Sequence, residues 1–302
     1  MPEELSPPVP IPVIASNGVP LLLISKWKKL SWLWHGFSTR RGGVSRAYCA
    51  ESTAGELNLG FTAADDRESV LRNRMLLTQA VTGDLETPLC TVRQCHTKLV
   101  VAASGPREVP ATADGIITAK AGFLIAVQTA DCVPVLVADT RQRVVGAFHA
   151  GWRGTVNRIV ESGIGKMRLD FNSKPQDLVA AIGPCVGACC YAIGDEVMSA
   201  FESQFTYSGD LFHEVFETDS VRTKYPMLFL TQRAPGHSPM GPNLHLDLVE
   251  ANRRQLLDAG LRPSAIQLAG GCTSCMPDLF FSHRASKGHA GRMMSVIGIR
   301  PS

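Results

Sequence analysis

The stretch TADCVPVLVADTRQRVVGAFHAGWRG, residues 129–154, decides how this chain is read. VPVLVAD and RVVGAFHA are short apolar runs rich in Val, which read as two strands. Cys132 stands at the edge of the first run and His149 near the end of the second, seventeen positions on. Strand ends are places where a scaffold can hold side chains rigidly yet leave them open to a pocket. The pair therefore poses a choice between two unrelated half-buried residues and one converging site.

Working outward, LCTVRQCH and GFLIAVQT precede this pair and have the same texture, so residues 89–149 read as a set of strands. IASNGVPLLLI carries an Asn17-Gly18 turn between apolar runs and predicts a hairpin. DDRESVLRNRMLLTQA opens with acids and spaces Val70, Leu71, Met75 and Leu77 as a helix does. A helix is expected from near Thr155, then a strand over LVAAIG, helices over DEVMSAF and LDLVEANRRQLLDAG, and a closing strand over MMSVIGI. Strands are grouped more than they alternate with helices. That predicts an α/β fold with mixed sheets flanked by helices in a single compact domain, residues 26–302, after an N-terminal tail and hairpin over residues 1–25.

The chain has 302 residues, 45% hydrophobic and 19% charged, with a net charge of +3. These values suit a globular enzyme and give no concentrated basic face, so a small-molecule substrate, anionic ones included, is expected and nucleic acid is not. MPEELSPPVPIP does not read as a signal peptide, and no apolar run is long enough to span a membrane. Nine irregularly spaced cysteines point to a reducing cytoplasm rather than a disulfide framework.

His96 in RQCHT joins Cys132 and His149 as a third candidate ligand. If their strands are neighbours, His, Cys and His supply three positions of a tetrahedral zinc site and leave the fourth for water or substrate. Spacings of 36 and 17 are not those of a zinc finger, so spacing leaves three unrelated residues as an open alternative. Cys272 and Cys275 form one CxxC, a weak metal signal alone, and Cys185, Cys189 and Cys190 read as core or turn residues. STRRGGVS sets Arg40 and Arg41 before two glycines, and HAGWRG sets Trp152 and Arg153 beside Gly154. Arginine beside glycine suits phosphate or carboxylate, and an aromatic suits a stacked ring. The plainer alternative is that Arg153 opens a surface helix and Trp152 fills the core.

GFSTRRGGVS, LNLG, RQCHTKLV, ADGIIT, TADCVPVL, HAGWRGTV, IGPCVGACCYAIGDEV, HLDLVEANRRQL, and CT followed by FFSHR and GR resemble, in order, the motifs of the laccase-domain family. That family is also called polyphenol oxidase or peptidoglycan editing factor. The resemblance covers about residues 34–300 and implies a fold related to the cytotoxic-necrotizing-factor-like group. It implies a zinc on His96, Cys132 and His149, with copper the alternative metal. It implies a purine nucleoside phosphorylase that also deaminates adenosine, with nucleoside and phosphate as its partners and no obligate protein partner. Arg40 is then the first candidate for a phosphate clamp, with Arg153 and Arg284 behind it, and Asn58, Gln94 and Asp131 complete the substrate site. A copper oxidase is disfavoured on chemistry, because eight histidines include no His-x-His pair. A cysteine hydrolase using Cys132 and His149, and a zinc-stabilised cell-wall editing factor, remain the rival readings. The chain departs from the family pattern at Cys95 and Thr97, which flank His96 where Val and Gly are usual, and at His283, which replaces a tyrosine. The adjacent Cys189 and Cys190 are a further departure.

Overall fold

A computed structural model describes residue 5 and residues 7–49, 55–215 and 243–301. Fifteen strands are described: β1 Val13–Ile14, β2 Pro20–Leu22, β3 Leu33–Ser38, β4 Arg41–Ser45, β5 Leu89–Thr91, β6 Val100–Ala102, β7 Gly115–Thr118, β8 Leu124–Thr129, β9 Val133–Asp139, β10 Val145–Ala150, β11 Leu178–Ile182, β12 Phe212–Val215, β13 Asn243–Leu246, β14 Ile266–Leu268 and β15 Met293–Ile299. The helices described are α1 Arg67–Thr82, α2 Trp152–Val156, α3 Ile159–Phe171, α4 Asp195–Gln204 and α5 Leu248–Asp258.

Two six-stranded sheets dominate, with orders β1-β2-β3-β15-β8-β5 and β14-β11-β9-β10-β7-β6. Both are mixed. Most pairs are antiparallel, while β5 with β8, β6 with β7 and β11 with β14 run parallel. The predicted hairpin forms, and its second strand continues into the first sheet by pairing with β3.

The period-2 alternation of the strands sorts the core into layers. Ile125 and Val127 of β8, Ile297 and Ile299 of β15, Leu136 and Ala138 of β9, and Val145 and Ala147 of β10 share one cluster between the sheets. The alternate residues Leu124, Ala126, Met294 and Val296 pack outward with Leu77 of α1. Val133, Val135, Val137 and Phe148 pack the other way with α3 and α5. Helix, sheet, sheet and helix are therefore stacked in four layers. Among the described residues, no helix is long and apolar enough to cross a membrane.

Three expectations need correction. Leu71 points to solvent at 44% exposure, and the buried face of α1 is completed by Asn73 and Thr78. Asn73 is drawn in because its amide donates to Ser45 Oγ and to the Glu56 and Asn58 carbonyls, which ties α1 to the loop after β4. The helix expected near Thr155 is split, because Arg158 adopts a left-handed φ of 59° between α2 and α3 and reaches Glu161 and the Gln204 carbonyl. LCTVRQCH is a strand only over Leu89–Thr91. Beyond it the Gln94 amide takes a strand's place, donating to the Gln128 carbonyl at 2.7 Å and accepting from the Gln128 N–H at 2.7 Å.

Candidate active site

The β9 and β10 register sets His149 opposite Pro134 and Ala150 opposite Val133, so Cys132 and His149 meet at the same end of the hairpin. His149 follows Val145 and Ala147 on the face turned toward the other sheet. It is 3% exposed. His96 arrives from the loop before β6 with a left-handed φ of 62°. Its Nε2 lies 3.9 Å from Cys132 Sγ, and its ring meets that of His149 edge on, with centroids 4.9 Å apart. The three ligand atoms all lie within 4.8 Å of one another. Zinc with Zn–N of about 2.0 Å and Zn–S of about 2.3 Å asks for ligand separations of about 3.3 to 3.6 Å, so a small contraction completes the set.

Asp114 organises this site. It is fully buried, accepts a hydrogen bond from His149 Nδ1 at 2.8 Å, and also accepts from the backbone N–H groups of Cys95, His96 and Thr97 and from the Thr97 hydroxyl. One carboxylate therefore folds the left-handed loop that presents His96 and orients the ring of His149. A histidine that gives Nδ1–H to a carboxylate has Nε2 left to ligate, the arrangement that commonly supports a metal-bound imidazole. Two imidazoles and a thiol so arranged fit a zinc ion. In the sequence Asp114 is marked only by its place in ADGIIT, an acid immediately before an apolar strand.

Electrostatics reinforce the arrangement. Burial by itself raises the Cys132 thiol, but the His149 and His96 imidazoles outweigh it and bring it down to about 6. Burial likewise opposes the His149 imidazolium, yet the Cys132 thiolate and the Asp114 carboxylate outweigh it and lift it to about 9. Asp114 is held well below the usual carboxylate range, because hydrogen bonds from His149 and Thr97 overcome the cost of its burial. Without metal, thiolate, imidazolium and carboxylate form a neutralising chain.

His96, Cys132 and His149 line a cavity of about 990 Å³. Gln94, Asp131 and Arg284 line it, together with Arg74, Arg93, Arg292, Phe61, Tyr191 and His283. Asp131 works as a junction. Its backbone is left-handed at φ 88°, its carboxylate accepts from Thr273 Oγ1 and the Arg284 N–H at 2.6 Å each, and its carbonyl accepts from the Val186 N–H. The Arg284 guanidinium lies over Tyr191, 5.2 Å from the ring centroid, and donates to the Ala192 carbonyl. Arg74 stacks on Phe61 at 4.2 Å; burial, with Arg67 nearby, lowers it to about 10, which leaves it cationic at neutral pH.

The structure does not bring Arg40 into this cavity. Its terminal guanidinium nitrogens pair with Glu56 and donate to the Tyr48 and Pro277 carbonyls, and the group stacks 4.7 Å from the Phe281 ring centroid, which holds it against the fold. Arg153 lies against Trp152 and near Glu196, at 3.6 Å, outside the cavity lining. Asn58 is fully buried and accepts from the Arg292 N–H, which ties it to the backbone of a cavity-lining residue. Cys95, which a strand would have turned to the opposite face from His96, sits instead in the loop gathered by Asp114 and is exposed.

A rigid His-Cys-His set at the end of an inter-sheet layer, under an arginine-lined cavity of small-molecule size, defines an α/β enzyme of small substrates. The model of the family described as multi-copper polyphenol oxidoreductase laccase matches residues 34–300, and the chain belongs to that family. It is 34% identical over 274 residues to the purine nucleoside phosphorylase YlmD of Geobacillus stearothermophilus, covering 88% of this chain and 89% of the relative. It is 30% identical over 270 residues to the adenosine deaminase RL5 of an unknown prokaryotic organism, covering 86% and 92%. The crystal structure of the Bacillus licheniformis hypothetical protein YfiH superposes with a TM-score of 0.76 at 28% identity, covering 95% of this chain and 97% of that one.

Proposed function

We propose that the chain is a purine nucleoside phosphorylase, converting nucleoside and phosphate into base and ribose 1-phosphate, with adenosine deamination as a second activity of the same cavity. The observation that carries this reading is the Asp114-backed His96, Cys132 and His149 set opening into a cavity ringed by guanidinium groups. Phosphorolysis spreads positive charge over the sugar and negative charge over the departing base, so it needs an anion clamp and a proton donor in one place.

Arg284 is the clamp that supports this best, because Asp131 fixes its backbone and Tyr191 lies under its guanidinium. Arg93 and Arg292 bring further positive charge to the lining. Gln94 is spent on Gln128, so it shapes the wall rather than contacting the base. Tyr191 and His283 offer ring faces for a purine. A zinc ion on His96, Cys132 and His149 would supply Lewis acidity, the property that deamination of adenosine by water requires. His149 carries its imidazole proton at Nδ1 toward Asp114, which keeps the ring in one tautomer during turnover. Such a thiol-dependent site suits the reducing cytoplasm.

The test is turnover of adenosine, inosine and guanosine with and without phosphate, followed by chromatography. Free base that appears only with phosphate, plus inosine from adenosine, is the expected result. Base release indifferent to phosphate would overturn phosphorolysis.

The Cys132 thiolate beside a His149 imidazolium favours a second reading, a cysteine hydrolase in which Cys132 attacks the substrate and His149 manages the proton. The two readings separate on a chelator: a cysteine nucleophile gains activity when metal is stripped, and a zinc site loses it.

A further inference from the structure

Beside the cavity wall, four more cysteine sulfurs converge. Cys189 and Cys190 lie in the turn that follows β11, and Cys272 and Cys275 in the turn that follows β14. Strands β11 and β14 are parallel neighbours, so both loops leave the sheet at the same end. A bridge between Cys185 and Cys272, closed by the Thr273 N–H donating to the Cys185 carbonyl at 2.9 Å, carries the pairing beyond the strands. The four sulfurs all lie within 4.8 Å of one another, with Cys189 to Cys275 at 3.5 Å and Cys190 to Cys275 at 3.3 Å.

From this geometry we propose a second metal site, a structural zinc held by Cys189, Cys190, Cys272 and Cys275, which staples the Tyr191 loop to the loop of Thr273. A tetrahedron of thiolates at about 2.3 Å from zinc has sulfurs about 3.8 Å apart, in the middle of the separations found here. Polynuclear iron–sulfur clusters place their cysteines around a core of several ions and need a wider cage. A disulfide would use two sulfurs and leave two thiols stranded beside it, whereas here one sulfur, Cys275, stands close to two others.

The backbone supports the assignment independently. The Gly187 N–H donates to Cys272 Sγ at 3.3 Å, and the Cys275 N–H also points at that sulfur. Such donors are what orient and stabilise a ligating thiolate. A Cβ at Gly187 would come within 3.2 Å of Cys189 Sγ and 3.4 Å of Cys272 Cβ, so the turn closes tightly over the cluster. With four protein ligands the site is closed, and its role is structural. Its consequence reaches the cavity, because Tyr191 follows Cys190 directly and Thr273 holds Asp131.

The experiment is native mass spectrometry with cobalt substitution on the full chain. The wild type should carry two metal ions, and the double variant Cys132→Ala/His149→Ala should retain one. In that variant cobalt should show the intense thiolate-to-metal absorption of a four-sulfur site, and Cys272→Ser/Cys275→Ser should abolish it. Zinc should also shield these four cysteines from alkylation in the triad variant. If the serine variant does not fold, the triad variant alone decides. No stoichiometric metal on the triad variant, alkylation indifferent to zinc, or a disulfide among the four would each overturn the proposal.

Discussion

Replacing Asp114 with asparagine keeps the shape of the buried side chain and removes one acceptor. The carboxylate receives His149 Nδ1 and the His96 N–H on Oδ1, the Thr97 N–H and hydroxyl on Oδ2, and the Cys95 N–H between them at 3.2 Å from each. An amide NH2 placed at Oδ2 faces the Thr97 N–H donor to donor. Placed at Oδ1 it faces the His96 N–H and drives His149 to the tautomer that protonates Nε2. Each orphaned buried donor costs about 1 to 3 kcal/mol, and the remaining bonds lose their charge assistance, so a loss of about 2 to 5 kcal/mol is expected. At about 2 to 4 °C per kcal/mol for a large domain, the melting temperature of Asp114→Asn should fall by about 4 to 20 °C. Zinc affinity at the triad should fall by about 10- to 100-fold, as for other losses of a partner behind a ligating histidine. Differential scanning calorimetry and chelator competition measure the two effects. Asp139→Asn, at the far end of β9 and equally buried, is the control that should cost stability and leave zinc alone. Unchanged zinc affinity in Asp114→Asn would refute the role given to this carboxylate.

Gly151→Ala should lower metal affinity with little loss of stability, because its Cβ would meet Cys132 Sγ at 2.8 Å and His96 Cδ2 at 3.0 Å; equal affinity by chelator competition would show that the ligands are not fixed as described. In metal-free protein, alkylation of Cys132 followed by peptide mapping should be half-maximal near pH 6, and a midpoint near the ordinary 9 would remove the ion pair. The depressed Cys132 loses its stabilising contribution as pH falls through about 6, and the raised His149 loses its own as pH rises through about 9. The one loss offsets the other between those values and neither continues beyond them, so this pair should leave the stability of the metal-free protein nearly independent of pH, and a steep slope between about pH 6 and 9 in chemical denaturation would refute the pairing. Arg284→Ala should raise the KM for phosphate by at least about tenfold, the cost of losing one charge-assisted contact, while deamination changes little; equal losses in both reactions would move the clamp elsewhere.

Much of the scaffold was legible because strands buried on both faces leave short Val-rich apolar runs in the sequence. VPVLVAD and RVVGAFHA formed the expected strands, and their antiparallel register alone brings Cys132 to His149. His96 was legible as a residue type but not as a conformation. Its loop is built by a carboxylate that collects backbone donors, an interaction with no periodicity and a partner 18 positions away. Arginine beside glycine looks the same whether the guanidinium waits for an anion or is held, as that of Arg40 is, by Glu56 and two carbonyls. The four-cysteine cluster joins residues 86 positions apart through the parallel pairing of β11 and β14, and parallel neighbours leave no local trace of their pairing.

The most direct test of the central claim uses Cys132→Ala, checked for native folding by circular dichroism. Its metal content and its phosphate-dependent release of base from inosine are measured beside the wild type. Loss of one metal ion per chain together with loss of turnover is the predicted result. Turnover at the wild-type rate from a folded Cys132→Ala protein would contradict the account, because the chemistry would then lie outside the His96, Cys132 and His149 site.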